Sequence, residues 1–247
     1  GSDCSLTEVG MRFLLHLCYL FFLLYAPLTF GSTPSVDDIL QKADEVRNPS
    51  QSYSMKVRVL RGEAKEFTSS FEVFIQGNQK TLIRTLEPNR DRGRNLLMLG
   101  EEMWAFIPNL NRSVRVSLSQ KLTGEAANGD LSRMRWSGDY SAVIEKQGAE
   151  QWTLLLTARK KGLTYERIRI WVDKDTFHPK KAEFLTLSDQ VLKRATYENY
   201  SILAGKMRPT LMRIQDALRT DAVSWIQVDE MKTKKFPESL FNQNSLK

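Results

Sequence analysis

Apolar positions along the chain change their period once. Over residues 35–48, Val36, Ile39, Leu40, Ala43 and Val46 recur at three- and four-residue spacing, which predicts an amphipathic helix. Ser35 followed by Asp38 makes an approximate capping box, and Asn48-Pro49 ends the pattern, because proline disfavours helical backbone in the residue before it. From residue 53 the period is two. Tyr53, Met55, Val57 and Val59 alternate with Ser54, Lys56 and Arg58. Phe67, Ser69, Phe71, Val73 and Ile75 alternate with Thr68, Ser70, Glu72 and Gln76, and Phe74 breaks the rule. Gln76-Gly77-Asn78-Gln79 reads as a hairpin turn into a strand over 80–86. Further strands are predicted over 95–99, 103–107, 113–118, 152–158, 166–172, 181–187, 192–197, 210–214 and 222–228. About a dozen short strands joined by turn residues suit an antiparallel meander in which sequence neighbours pair.

Such alternation gives a sheet one buried face and one wet face. Lys56, Arg58, Arg115, Arg167 and Arg169 belong to the wet face. Met55, Val57, Val59, Phe71, Val73, Trp152, Leu154 and Leu156 belong to the buried one, with Trp104 and Phe106 near its mouth. A sheet of this many strands curls, and its concave side must be filled. The helix is one filler. Residues 119–144 are the other: three glycines and no steady period, but Leu122, Leu131, Met134, Trp136 and Tyr140. A long apolar insertion inside a compact domain is usually functional. It is expected to form a lid, with Trp136 and Tyr140 over the mouth near Trp104 and Phe106. The inward apolar face suits an ordinary filled core and a cavity for acyl chains equally well.

Ahead of this domain, Met11 and Arg12 precede the apolar run 13–26, then Pro27, Thr29 and Gly31. Positive charge, apolar core and small residues in that order predict a signal peptide over 11–31; the alternative is a retained anchor, against which Pro27 argues. Residues 1–10 read as a tag or upstream extension, and 32–247 as a single domain. Residues 1–31 hold one arginine and two acids, so their removal takes the net charge from +7 to +8. Cys4 and Cys18 would leave with them, excluding disulfides and thiolate chemistry. The positive balance fits anionic lipid headgroups, an acidic partner, or solubility alone.

Little catalytic chemistry is available. His178 lies in a turn before Pro179, a poor mounting for a general base. Asp173 and Asp175 lack the further ligands of a calcium loop and read as turn residues. Glu101 and Glu102 are adjacent, so strand geometry points them apart. No phosphate-cradling loop and no zinc spacing is present. No enzyme, metal or cofactor is expected, and export argues against nucleic acid as a partner.

Three stretches carry a resemblance. Residues 96–116 contain Trp104, Phe106, Pro108, Arg112 and Arg115 in the spacing W-x-(Y/F)-x-P-x-x-x-R-x-x-R. Ser137-Gly138-Asp139-Tyr140-Ser141 is similar to an S-D-(F/Y)-(S/T) segment, although Ala142-Val143-Ile144 replaces the acids that follow it there. Asn199-Tyr200, residues 205–212 and residues 236–241 are similar to closing strands and a tail. In this order they resemble the outer-membrane lipoprotein-sorting family related to the lipoprotein carrier LolA. The resemblance implies a mainly β fold with some α: a half-open antiparallel barrel of about 11 strands, wrapped over an N-terminal helix and a lid. It further implies a Gram-negative periplasmic carrier that holds acylated lipoprotein or lipid in an apolar cavity, loaded by an inner-membrane transporter and unloaded to an outer-membrane acceptor. An arginine latch is also implied, which the sequence assigns to no particular arginine. Two alternatives use the same fold: an envelope sensor or adaptor acting through Arg167 and Arg169, and a structural envelope protein with a filled core.

Overall fold

Among the described residues, thirteen of fifteen strands pair into one antiparallel sheet, and only one of its pairings joins strands distant in sequence. The computed structural model describes residues 33–247; the extension and signal peptide expected over 1–31 lie outside the described residues. Helix α1 (Val36–Arg47) leads into β1 (Tyr53–Arg61), β2 (Glu66–Gln76), β3 (Lys80–Glu87), β4 (Leu96–Leu99), β5 (Glu102–Ile107) and β6 (Arg112–Val116). A small ribbon of β7 (Lys121–Thr123) and β8 (Ala126–Ala127) precedes the short helix α2 (Asn128–Ser132). The chain then returns through β9 (Tyr140–Gln147), β10 (Gln151–Ala158), β11 (Arg167–Asp173), β12 (Pro179–Leu185), β13 (Val191–Leu203), β14 (Lys206–Asp216) and β15 (Val223–Thr233). The order β6-β5-β4-β3-β2-β1-β15-β14-β13-β12-β11-β10-β9 is two meanders spreading from the β1–β15 seam, where Tyr53 faces Thr233 and Arg61 faces Ser224. The sheet is not closed: β6 and β9 are its edges. It therefore has thirteen strands rather than about eleven. One addition is β9, whose residues 140–144 the sequence assigned to the lid. Tyr140, Ala142 and Ile144 turn inward there, while Ser141, Val143 and Glu145 are exposed.

The start of α1 is as its sequence predicts. Ser35 Oγ accepts the Asp38 amide at 3.1 Å, and Asp38 Oδ2 accepts the Ser35 amide at 3.2 Å. Its other end is held from a distance. Arg208, near the far end of the β13–β14 hairpin, donates to the carbonyls of Glu45 (2.8 Å) and Val46 (3.1 Å). Those carbonyls have no partner inside the helix, and a cation there also complements the helix dipole. No helix among the described residues is long and apolar enough to cross a membrane.

The concave face is buried in two halves under two covers. Ile39, Leu40 and Ala43 of α1 pack on Leu154, Leu156, Ile168, Ile170 and Phe184 of β10–β12. Leu118, Ala126 and Leu131 of the insertion pack on Met55, Val57, Val59, Phe71 and Val73. Trp104 and Phe106 are not on this face. Residues alternate sides along β5, and Met103 and Ala105 take the inward positions. Trp104 and Phe106 point outward with Phe74, Leu82 and Leu97, under a cover formed by Phe236, Leu240, Phe241 and Leu246 of the C-terminal tail. Phe74 meets Phe236 edge-on at 5.6 Å, which explains the break in the β2 alternation. Asn95 ties the tail down by donating to the Leu246 carbonyl at 3.1 Å.

Phe241→Ala should cost about 3 kcal/mol, the usual loss for a buried phenylalanine, and release the tail to proteases. Urea unfolding and limited proteolysis measure this; an unchanged midpoint with a protected tail would contradict the packing role.

Candidate functional site

The insertion between β6 and β9, the lid expected from sequence, covers the sheet with its backbone pinned at both ends. At its start, Asn128 donates to the Ser117 carbonyl at 2.9 Å, and the Glu125 amide donates to Ser224 Oγ at 2.9 Å. Gly129 lies so close to Thr164 that a Cβ would fall 1.8 Å from the threonine Oγ1, so only glycine fits there. Thr81 of β3 donates to the Ser132 carbonyl at 2.8 Å. At its end, Arg133 grips Asp139 with two hydrogen bonds of 2.6 and 2.8 Å, and its Nη1 donates to the Gly100 carbonyl at 2.7 Å. The Arg133 and Asp139 side chains are 3% and 7% exposed, and a pair that dry persists only with such complete hydrogen bonding.

The lid meets α1 through two residues one turn apart. Asp44 is fully buried and accepts from the Trp136 amide (2.9 Å), the Ser137 amide (2.7 Å) and the Ser137 hydroxyl. Arg47 donates to the Met134 carbonyl at 2.9 Å and lies over the Trp136 ring, 3.8 Å from its centroid. Trp136 in turn meets Tyr197 of β13 edge-on at 6.4 Å. The segment Ser137–Ser141 thus has separate structural tasks: Ser137 binds the helix, Asp139 binds Arg133, and the Tyr140 hydroxyl donates to the Tyr165 carbonyl at 2.8 Å.

Beneath this joint lies a cleft of about 550 Å³, including the space at its mouth. Its apolar walls come from Met55, Leu131, Met134, Leu211, Met212, Ile226, Val228 and Met231. Four of these are methionines, whose flexible thioethers suit a wall that must adapt to different contents. A second compartment of about 370 Å³, again including open space, lies among Trp136, Tyr140, Tyr165, Ile168 and Phe184. Arg47, Asp130, Met134, Tyr197 and Met212 line both.

Of the residues singled out from sequence, Met55, Leu131, Met134, Trp136 and Tyr140 line the cleft. Val57, Val59, Phe71, Val73, Trp152, Leu154 and Leu156 lie on the same face, as closed core. The expected neighbourhood of Trp136 and Tyr140 with Trp104 and Phe106 does not form, because the sheet separates the two pairs. Sequence reasoning missed Arg47, Asn48, Asp130, Tyr165 and Tyr197. Arg47, Asn48 and Asp130 are polar residues outside any apolar stripe, Tyr197 reads as one more apolar position of its strand, and no motif marks any of the five.

Burial sets the electrostatics of the cleft. It pushes the Asp130 carboxyl above its ordinary range, against Lys193, the Ala127 amide and the Tyr165 hydroxyl, which favour the ion. Burial likewise raises the Tyr165 and Tyr197 hydroxyls, so both are protonated at neutral pH.

On the wet face every singled-out cation meets a carboxylate. Arg58 grips Asp229 with two bonds of 2.7 Å, and Arg169 reaches Glu145 (2.6 Å) and Glu183 (3.1 Å). Arg167 pairs with Asp189, Lys56 with Glu230 and Arg115 with Glu102. Glu101 turns away from Glu102 to Lys160, at 2.6 Å. Asp173 Oδ1 accepts from the Asp175 and Thr176 amides and the Thr176 hydroxyl, closing a turn. His178 stacks on Tyr200, with centroids 4.1 Å apart. Among the described residues no group of three or more His, Cys, Asp or Glu is placed to hold a metal.

Removing Asp44 strands two buried amides. Asp44→Ala should therefore destabilise the fold by about 3 kcal/mol and speed hydrogen exchange at Trp136 and Ser137. Equal exchange in the variant and the parent would remove Asp44 from the lid joint. Asp130 makes a pH-dependent prediction. Its folded carboxyl titrates above the unfolded value of about 3.9, so ionisation favours the unfolded chain from that pH upward. Asp130→Asn should gain on the parent as pH rises from 4 towards 7, read as the difference in urea midpoint; a pH-independent difference would contradict this.

Residues 77–247 match the model of a family described as "Uncharacterized protein". No curated protein matches the sequence. Among solved structures, the chain is similar to a LolA superfamily protein from Nitrosomonas europaea at 34% identity, over 86% of this chain and 100% of that one, with a TM-score of 0.80. It shares its fold with a domain described as outer membrane lipoprotein-sorting from Vibrio parahaemolyticus (21% identity, 85% and 97% of the two chains, TM-score 0.68). A DUF1329 family protein from Desulfovibrio piger has the same fold (20% identity, 85% and 97%, TM-score 0.71).

Proposed function

Because the chain belongs to the LolA superfamily, we propose that it is an exported envelope protein that takes acyl chains of a lipoprotein or lipid into the cleft beneath its lid and carries them towards the outer membrane. One observation carries this reading: a methionine-walled cleft whose roof is tied to α1 through a single aspartate and a single arginine.

Carriage requires both capture and release. Burying a sixteen-carbon chain at ~0.8 kcal/mol per methylene would yield roughly 12 kcal/mol, too much for a cargo that must be handed on. Opening the lid offsets part of it. The bonds that Asp44 and Arg47 make to lid backbone must break, each worth about 1.5–3 kcal/mol. Net affinity is then the difference between acyl burial and lid closure, and a membrane acceptor that stabilises the open lid shifts it towards release. Arg47 acts as the latch in this scheme: it holds the Met134 carbonyl and covers Trp136. The outward cations are less suited to recognising a partner, since exposed pairs such as Arg58–Asp229 already satisfy their charge.

The full chain, purified without detergent, should yield a lipid or acylated adduct in native mass spectrometry and solvent extraction, or take up a fluorescent hexadecanoyl probe. Met212→Trp, in the wall common to both compartments, should lower uptake at least about tenfold, whereas Arg169→Glu should not. A clean mass and no uptake by the parent protein would overturn the carrier in favour of a role in protein contact.

A further inference from the structure

Two buried polar side chains in the cleft lack partners. The Tyr197 hydroxyl and Asn48 Nδ2 are shielded from solvent, on residues 6% and 2% exposed, and neither makes a hydrogen bond among the described residues. Both residues line the larger compartment. Folded proteins seldom leave such atoms unmatched, and each one calls for an explanation. Arg47 lines the same compartment and, among the described residues, donates one hydrogen bond, to Met134, so its fork keeps further donors. Asp130 lines it too, with a carboxylate that accepts from the Ala127 amide and the Tyr165 hydroxyl and has lone pairs to spare. Thr210, the other polar residue of the lining, already donates to the Asn199 carbonyl, so a mainly apolar cleft presents three sets of donors and one acceptor.

A plain hydrocarbon would leave all of these unmatched. A free fatty-acid anion would suit the donors but bring its charge beside Asp130. A neutral carbonyl suits the donors without that conflict, and an N–H or O–H next to it suits Asp130. Resting on the acyl-carrier reading above, we propose that this polar wall recognises the linkage group of the cargo: an ester or amide carbonyl accepts from Tyr197, Asn48 and Arg47, and the secondary amide, whose N–H reaches Asp130, is preferred. A site built to hydrogen-bond a ligand group discriminates strongly against an analogue that lacks it. The wall thus fixes which end of an acylated molecule enters and how deep it sits.

The test is displacement of a fluorescent acyl probe from the full chain by dodecane, methyl dodecanoate, N,N-dimethyldodecanamide and N-methyldodecanamide. N-methyldodecanamide should bind about tenfold more tightly than dodecane, with the ester and the tertiary amide between them. Tyr197→Phe removes a hydroxyl that has no partner, so the fold should keep its melting temperature. It should cut the amide's advantage about fivefold and leave dodecane affinity unchanged. Equal affinity for all four ligands, or an advantage untouched by Tyr197→Phe, would overturn the proposal and leave water as the partner of these atoms, while the carrier reading stood. Tighter binding of the ester than of the secondary amide would overturn the preference assigned to Asp130. Failure of every ligand to displace the probe, or of the probe to bind, would overturn the carrier reading and this proposal with it.

Discussion

Thirteen strands at about 4.8 Å spacing would extend roughly 60 Å across if laid flat, whereas the twelve residues of α1 make a rod about 18 Å long. One helix cannot cover such a face. Curling brings the flanks closer, yet α1 packs only on the β9–β14 side, and the apolar residues of β1–β5 depend on the insertion after β6. The lid is therefore part of the hydrophobic core before it is a gate. Any movement of it exposes apolar surface that only something equally apolar can cover.

The cleft follows from the same shortage. It lies where the two covers meet, and Met212 packs against both halves of the core. Across that seam the hydrogen bonds run from Asp44 and Arg47 on the helix side to lid backbone on the other, with Trp136 packed beside them. Polar joints are directional and break cleanly, whereas an apolar joint would slide or stick. The buried Arg133–Asp139 pair stiffens the lid beside the joint, so the segment can move as a body about it.

The sequence displays the parts of this design that depend on periodicity. The capping box of α1, the two-residue period of β1 and β2 and the turn at Gly77 are all legible because local backbone geometry dictates them. Facing is harder to read. Trp104 and Phe106 are large and aromatic, which suggests the interior, but one residue of parity on β5 sends them outward to a tail that arrives 130 residues later. The end of the lid is hard to place for a related reason: the alternation that begins at Tyr140 follows closely on the apolar Met134 and Trp136. The polar wall was not legible at all. Arg47 and Asn48 look like an ordinary helix ending, and Tyr197 is one more apolar position on a strand; only side-chain direction reveals that they share a space.

The unjoined edges β6 and β9 bear on how much such a chamber can hold. A closed barrel has its radius set by strand number and shear, so widening it means tearing the hydrogen-bond ladder. Here the flanks can splay by untwisting, with every ladder bond intact. Resistance then comes from side-chain packing and from the hydrogen bonds that hold the insertion to the sheet, rather than from the ladder. An open sheet of that kind would need no permanent void in order to accept a bulky ligand.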